Sequence, residues 1–353
     1  MHHTNADEFY LNLCLQSAWQ NQLISLPNPA VGALVLDQYG AILSIESHQE
    51  CGKPHAEVLA FQKAYAALSG DNAILSLSDS AQIHNYLLNS AKSLFCDSTL
   101  YVSLEPCSSA KNGKTPSCAE LLKFLKPKRI VIASKDINPN AQGGAEELEQ
   151  CGISITKAWE TESLHSIHQR ANALLAPFES LQTKGRFLLY KYACRLDGSI
   201  NGGQISSKAA QAQMHNYRAK ADFLLVSGKT IREDTPTLDS RFATLESKRA
   251  PNVLILTRER NFSTDAPLMN VPNREVRIIH SLDSALQGTS GFILCEGGAR
   301  LFETLQPHID MLLVILNPSF YADSTLTMRL NQSFHLVHSM QIGDDSFLWL
   351  LPK

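Results

Sequence analysis

Three side chains in this sequence could share one metal ion. They are His55 in Pro54-His55-Ala56-Glu57, Cys107 in Glu105-Pro106-Cys107, and Cys118. One imidazole and two thiolates suit zinc, and three protein ligands leave a fourth position open for water, as in catalytic sites. A purely structural site would want a fourth protein ligand, and none accompanies these three. Zinc brings the pKa of a bound water toward neutrality. Glu57 sits two residues after His55 and need not be a ligand. A carboxylate there can carry a proton between a water and a leaving group.

These residues need rigid supports. The apolar positions Leu11, Leu13, Cys14, Ala18, Trp19 and Leu23 predict an amphipathic helix over 8–24. Pro27-Asn28-Pro29-Ala30-Val31-Gly32 then excludes helix and reads as a rigid turn. Ala33–Leu36 and Ala41–Ile45 form a hairpin about Tyr39-Gly40. A helix from Glu57 to about Leu68 stops at Gly70, which places His55 and Glu57 at its positive end. An apolar stretch from Ile83 to Leu94 could form an additional helix within 71–98. Thr99–Leu104 is a strand delivering Glu105-Pro106-Cys107, Cys118 opens a helix to Leu125, and Arg129–Ala133 is the next strand. This alternation predicts an α/β layered domain.

A mainly helical connection follows, ending at Pro177 and Gly185, and then a second α/β unit. Its predicted strands are Phe187–Ala193, Phe223–Gly228, Asn252–Leu256, Phe292–Cys295, Met311–Leu316 and Phe347–Leu351, with helices over Ala209–Ala219 and from Ala299. The expected domains are 1–157 and 186–353, joined by 158–185. A length of 353 residues agrees with two cores. The formal net charge of −3, with no long basic run, argues against a nucleic-acid partner. Eight scattered cysteines, no apolar run of membrane-spanning length and no signal-like N-terminus predict a cytoplasmic protein with no membrane partner.

The zinc deaminases carry H-x-E followed by P-C-x-x-C. His55, Glu57, Pro106 and Cys107 fit, whereas ten residues rather than two separate Cys107 from Cys118. The chain resembles the bifunctional riboflavin-biosynthesis deaminase/reductase family over nearly its whole length. In the first half the resemblance rests on Pro27-Asn28-Pro29-x-Val31-Gly32, His48, Gly52-x-Pro54-His55-Ala56-Glu57, Leu104-Glu105-Pro106-Cys107-Ser108, Gly113-Lys114-Thr115-Pro116-Ser117-Cys118 and Asp136-x-Asn138-Pro139-Asn140. The Gly-Lys-Thr-Pro loop is typical of that family and explains the wide cysteine spacing. In the second half it rests on Lys191-x-Ala193, Leu196-Asp197-Gly198, Arg218-Ala219-x-x-Asp222, Gly228-x-Thr230, Asp234-x-Pro236-x-Leu238 with Arg241, and Glu296-Gly297-Gly298.

The resemblance implies a cytidine-deaminase-like α/β/α layered domain followed by a dihydrofolate-reductase-like α/β domain. It implies Zn2+ held by His55, Cys107 and Cys118, proton transfer by Glu57, and a pyrimidine contact from Asn28. It also implies NADPH as the second cofactor, bound by Ala193, Thr230, Asp234 and the turn Gly298, Ala299, Arg300, Leu301, Phe302 and Glu303. Arg218, Asp234, Leu238, Arg241 and Glu296 would contact the substrate, a small phosphoribosylated pyrimidine. The implied assembly is a homo-oligomer, a dimer or tetramer. A monofunctional deaminase with a degenerate reductase-like half is the alternative, and a nucleic-acid deaminase is a third reading.

The chain departs from the family pattern in several places. Ser109 stands where His is usual, and the loop after it is about two residues longer. The interval from His55 to Cys107 is also longer. Arg195 replaces a Ser, and the segment between Asp197 and Ile205 is about five residues short. That segment lacks the family's Ser and Trp and has Gly202, Gly203 and Gln204 instead. Asp310-Met311 stands where Asp-Glu is common.

Overall fold

In a computed structural model of the chain, residues 6–109, 115–246, 248–259, 265–282, 286–328 and 331–353 are described. Lys111, Asn112, Gly113 and Lys114 of the intercysteine loop lie outside them. Backbone contacts divide the chain into two units, Met1–Leu175 and Ala176–Lys353. Among the described residues no helix is long and apolar enough to cross a membrane.

The first unit is a five-stranded sheet with helices. Its strands are β1 (Gly32–Leu36), β2 (Ile42–Ser47), β3 (Thr99–Val102), β4 (Arg129–Ile132) and β5 (Ser154–Lys157), in the order β2-β1-β3-β4-β5. β1 runs antiparallel to β2 and β3, while β3, β4 and β5 are parallel. Every residue of β1 is buried, as a central strand covered on both faces must be. Helix α1 is Ala6–Trp19, not 8–24. Leu23 has φ +68°, a left-handed conformation that a helix cannot continue through, so the chain turns there. Helix α2 (Ala56–Ser69) starts just after His55 and ends at Gly70, whose φ of +74° and N–H to the Ala66 carbonyl stop it.

The long stretch 71–98 contains a short 3-10 turn at Asn72–Ser76 and helix α3 (Ser80–Ser90), capped by the Asp79 carboxylate on the Gln82 N–H. Ile74, Ile83, Leu87, Ala91 and Phe95 from this stretch are fully buried in the core behind α2. Phe95 meets Phe61 of α2 edge to face, with ring centres 4.8 Å apart. This stretch therefore extends the core and packs against the helix that carries Glu57.

Helices α4 (Cys118–Leu125) and α5 (Gly144–Gln150) complete this unit. Helix α6 (His165–Lys184) then runs across the division between the units. Pro177 lies inside α6 and does not end it. Its missing N–H costs one intrahelical bond in a 20-residue helix that is anchored by the buried Ile167, Ala171, Leu174 and Phe178.

The second unit holds an eight-stranded sheet. Its strands are β6 (Arg186–Arg195), β7 (Phe223–Ser227), β8 (Asn252–Leu256), β9 (Val276–Ile279), β10 (Gly291–Glu296), β11 (Met311–Asn317), β12 (Phe334–Ile342) and β13 (Asp345–Pro352). Their order is β12-β13-β11-β6-β10-β7-β8-β9. The six strands from β11 to β9 are parallel, and β13 and β12 add antiparallel edges. Helices α7 (Lys208–Lys220), α8 (Gly228–Asp234) and α9 (Ala299–Leu305) pack with this sheet or follow its strands.

A largely enclosed ion pair links α7 to β10. Arg218 donates Nε to Glu296 Oε1 at 3.0 Å and Nη2 to Oε2 at 2.6 Å, a two-pronged geometry that only a guanidinium supplies. Burial works against the Glu296 charge, but Arg218 and Lys191 outweigh it and hold the carboxyl at about 2. This depressed value means that the pair's stabilisation is present above the unfolded carboxylate value of 4.5 and is lost as pH falls toward 2. Equilibrium unfolding should therefore show the stability gap between wild type and Glu296→Gln narrowing across that window.

Gly32 has a separate steric role. A Cβ there would stand 2.0 Å from the Cys14 carbonyl oxygen, because α1 lies directly on β1. Gly32→Ala should cost about 3 kcal/mol or more, measured as a shift in the denaturant midpoint of the first unit.

Candidate active sites

His55 is the N-cap residue of α2, with φ −68° and ψ 160°. Glu57 follows in the first turn and is buried. Cys107 comes from the turn after β3, and Cys118 is the first residue of α4, where Ser117 caps the helix through the Glu120 N–H. The ligand atoms of His55, Cys107 and Cys118 all lie within 4.8 Å of one another. Both thiol sulfurs approach the same ring nitrogen, His55 Nδ1, at 3.7 Å from Cys107 and 3.4 Å from Cys118. Nε2 faces Thr115 Oγ1 at 3.3 Å. A hydroxyl accepting from Nε2–H leaves the Nδ1 lone pair for a metal, the tautomer that such sites require. The donor set fits a zinc ion. Thr115 belongs to the motif that explains the cysteine spacing, but only the folded structure brings it against the far side of the imidazole.

The Cys107 turn is clamped from below. Glu105 accepts backbone N–H groups from Asp136 at 3.1 Å, Gly143 at 3.1 Å and Ala145 at 3.0 Å. Asp136 accepts the Asn138 N–H at 2.8 Å, and Asn138 accepts that of Asn140 at 3.1 Å. The Asp136-x-Asn138-Pro139-Asn140 stretch is thus a run of side-chain turns supporting the cysteine loop. Burial pushes the Asp136 carboxyl up to about 6, only partly offset by its bond from Asn138. Gly144 packs so closely under Pro106 that a Cβ would lie 1.9 Å from the Pro106 carbonyl oxygen. From the other side, Ser117 Oγ and the Ala119 N–H donate to the Cys107 carbonyl at 3.0 and 3.1 Å. The Cys118 N–H points at Cys107 Sγ at 3.2 Å.

Burial pushes the Glu57 carboxyl up, and the His55 ring opposes that shift. Such a carboxyl holds a proton more readily than an exposed one. Asn28 is tied to the site through His48. Its Nδ2 is 3.1 Å from His48 Nε2, and His48 Nδ1 is 3.0 Å from the Pro54 carbonyl oxygen. The rings of His48 and His55 meet edge to face with centres 5.5 Å apart. Ser109, in the place of a usual His, bonds Glu147 through its N–H at 2.9 Å and lies 3.2 Å from Lys123 Nζ. Ser109 thus belongs to a polar cluster with Glu147 and Lys123.

In the second unit a cavity of about 330 Å³ opens near the C-terminal ends of β6, β7 and β10. Open parallel sheets place ligands there. Its size is at the low end for small-molecule sites. Ala193, Thr230, Asp234, Leu238, Glu296 and Gly298 line it, as do Lys191, Tyr192, Ile200, Val226 and Gly297. Gly298 leaves backbone facing the cavity, with Ile200 the nearest neighbour to a would-be Cβ at 3.7 Å. A polar ligand can approach the main chain there, which fits one end of a nucleotide cofactor.

Other expected contacts sit elsewhere. Arg218 reaches the cavity only through its bond to Glu296. Arg241 is about half exposed and is engaged by Asp239 at 2.8 Å. Leu301 and Phe302 turn into the core, Phe302 against Tyr190 with ring centres 5.1 Å apart, so their side chains do not face the cavity. Ala299, Arg300 and Glu303 belong to α9, and none of the three lines the cavity.

Lys191 did not stand out as a site residue, although it appears in the Lys191-x-Ala193 motif. It pairs in register with Glu296 across β6 and β10. Burial pushes its ammonium down and nearby Glu296 works the other way. No local pattern marks it, because the partner strand comes about a hundred residues later. The Thr235–Leu238 loop is held by Arg274, which donates to the carbonyls of Leu238 at 2.6 Å, Thr237 at 2.7 Å and Leu268 at 2.6 Å. Leu238 sits at φ +54°, which a leucine adopts only when its surroundings enforce it.

Residues 4–134 match the family model for the cytidine and deoxycytidylate deaminase zinc-binding region, and residues 186–320 match that for the RibD C-terminal domain. The riboflavin biosynthesis protein RibD of Aquifex aeolicus is 29% identical over 280 residues, 77% of this chain and 68% of the relative. The protein of that name from Bacillus amyloliquefaciens is 31% identical over 241 residues, 67% of this chain and 55% of the relative. A crystal structure from Thermotoga maritima, described as a diaminohydroxyphosphoribosylaminopyrimidine deaminase/5-amino-6-(5-phosphoribosylamino)uracil reductase, superposes with a TM-score of 0.67 at 23% identity. The match covers all of both chains. With a deaminase-type zinc region in one half and a RibD-type domain in the other, the chain belongs to the bifunctional deaminase/reductase family of riboflavin biosynthesis.

Proposed function

We propose that the first unit hydrolytically deaminates 2,5-diamino-6-(5-phosphoribosylamino)pyrimidin-4-one, and that the second reduces the ribosyl side chain of the product to ribityl with NADPH. The observation that carries the reading is the convergence of His55 Nδ1 with the sulfurs of Cys107 and Cys118, beside the buried Glu57. Zinc bound there supplies water activation near neutral pH. Glu57, its carboxyl raised by burial, takes a proton from the attacking water and passes it to the departing amine, so that ammonia leaves. Asn28, steadied by His48, offers an amide to the edge of the pyrimidine.

In the second unit NADPH supplies the hydride. Ala193, Thr230 and Gly298 would hold the cofactor from the cavity wall, with Asp234 serving both cofactor and substrate. Lys191 and the Arg218-braced Glu296 present opposite charges to the sugar end of the substrate. Arg241 on the adjoining loop is half exposed and paired with Asp239, and it would have to exchange that carboxylate for a substrate phosphate. The cavity and the two family matches favour this over a monofunctional deaminase. A cytoplasmic location belongs to the same reading. It is supported by the absence of any disulfide among the eight cysteines, all of them described residues. So does a homo-oligomer, for which the exposed edge strand β12 is a suitable surface.

Metal analysis and ammonia release test the first half. His55→Ala should lose both zinc and deamination. Glu57→Gln should keep its zinc while ammonia release falls about a hundredfold or more. A His55→Ala protein with full zinc and full rate would overturn the assignment. For the second half, NADPH absorbance should fall when the deaminated product is supplied. Unchanged absorbance with deamination intact would return the chain to the monofunctional reading.

A further inference from the structure

Arg195 is the last residue of β6 and stands directly before the short glycine-containing segment that leads to Ile205. Its side chain is 7% exposed and is engaged on every side. Nη1 donates to the Asn201 carbonyl at 2.6 Å and Nη2 to the Gly202 carbonyl at 3.1 Å. The guanidinium carbon lies 5.1 Å from the centre of the Tyr321 ring, a cation–π distance. Gly202 has φ +86°, and a Cβ there would stand 2.5 Å from the same ring. The guanidinium is therefore layered between the short segment and the Tyr321 loop.

Other bonds join the same two stretches. The Ile200 N–H donates to the Leu326 carbonyl at 3.0 Å, and Asn201 Nδ2 donates to Thr325 Oγ1 at 3.0 Å. The Tyr321 N–H donates to Asp197 at 3.0 Å. All of this directs one side chain, Ile200, into the cavity wall, where it is the nearest neighbour of Gly298.

We propose that Arg195 is a positioning residue for NADPH. By gathering the Asn201 and Gly202 carbonyls it folds the short segment down, so that Ile200 closes the cavity beside Gly298. A main chain with two positive-φ glycines, Gly202 and Gly203, has no preference of its own for that fold. The carbonyls need a donor to hold them, and the planar guanidinium can serve both while stacking on Tyr321. This inference rests on the cavity being the NADPH site.

The test is NADPH binding to the full-length protein, followed by the fluorescence of the bound nicotinamide, with reductase KM and kcat measured alongside. Ammonia release and thermal unfolding report on the fold. Arg195→Ala should weaken NADPH binding about tenfold and raise its KM in parallel, with kcat at saturating cofactor and ammonia release little changed. Arg195→Lys should recover only part of the affinity, because an ammonium cannot both span two carbonyls and stack. Ile200→Ala keeps the guanidinium clamp and should also weaken NADPH binding, so it decides the matter if Arg195→Ala does not fold. Unchanged NADPH affinity in a folded Arg195→Ala protein, or in Ile200→Ala, overturns the role of Arg195 while leaving the cavity assignment standing. A wild-type chain that binds no NADPH overturns the cavity assignment and this inference together.

Discussion

The Glu105 carboxylate accepts three backbone N–H groups from residues 31 to 40 positions further along the chain, and the metal-binding geometry depends on that cage. A buried carboxylate without donors would be costly, and three unpaired N–H groups would be costly as well. Each therefore fixes the other. Pro106 and Cys107 follow immediately, so the sulfur inherits its position from the cage. Gly144 lets the supporting helix approach to the point where no side chain fits. The Cys107 carbonyl and sulfur are then bonded from the start of α4, which sets Cys118 relative to Cys107 without any need for a short spacing.

The second unit solves a similar problem with the opposite charge. Its cavity is bordered by loops that have little intrinsic preference for their observed shapes. Arg274 gathers three carbonyls around the left-handed Leu238, and Arg195 gathers two around the short segment after β6. Arg218 is spent differently, on the carboxylate of Glu296. Planar guanidinium groups suit all three tasks because several N–H donors point outward in fixed directions. The first unit thus uses an anion to organise N–H groups, and the second uses cations to organise carbonyls and a carboxylate.

Much of the architecture was legible because periodicity reports burial. Strands β1, β6, β8, β10 and β11 each carry an unbroken apolar run, and α2 has both a start and a glycine stop. What escaped notice was short or exposed. Four-residue β5 and β9 offer too few positions to establish alternation. Edge strand β12, with its exposed polar positions, has no continuous apolar run. The end of α1 escaped for another reason. Leu23 is buried and fits the helical stripe, but its backbone turns left-handed.

The sequence by itself determined the reactive chemistry. An imidazole and two thiols beside a carboxylate admit few uses, and the motif residues around them select the zinc-deaminase kind. Tertiary structure decided the rest. Only the fold shows that Nδ1 of His55 faces the sulfurs while Thr115 holds Nε2, because the orientation of a ring is set by neighbours sixty residues away. Only the fold separates Glu296 and Leu238, which face the cavity, from Leu301 and Phe302, which pack into the core. Lys191 and Arg195 acquire their positions in the same way. Composition assigns a side chain its charge and donors, but the partners it meets belong to strands and loops that meet it only once the chain has closed.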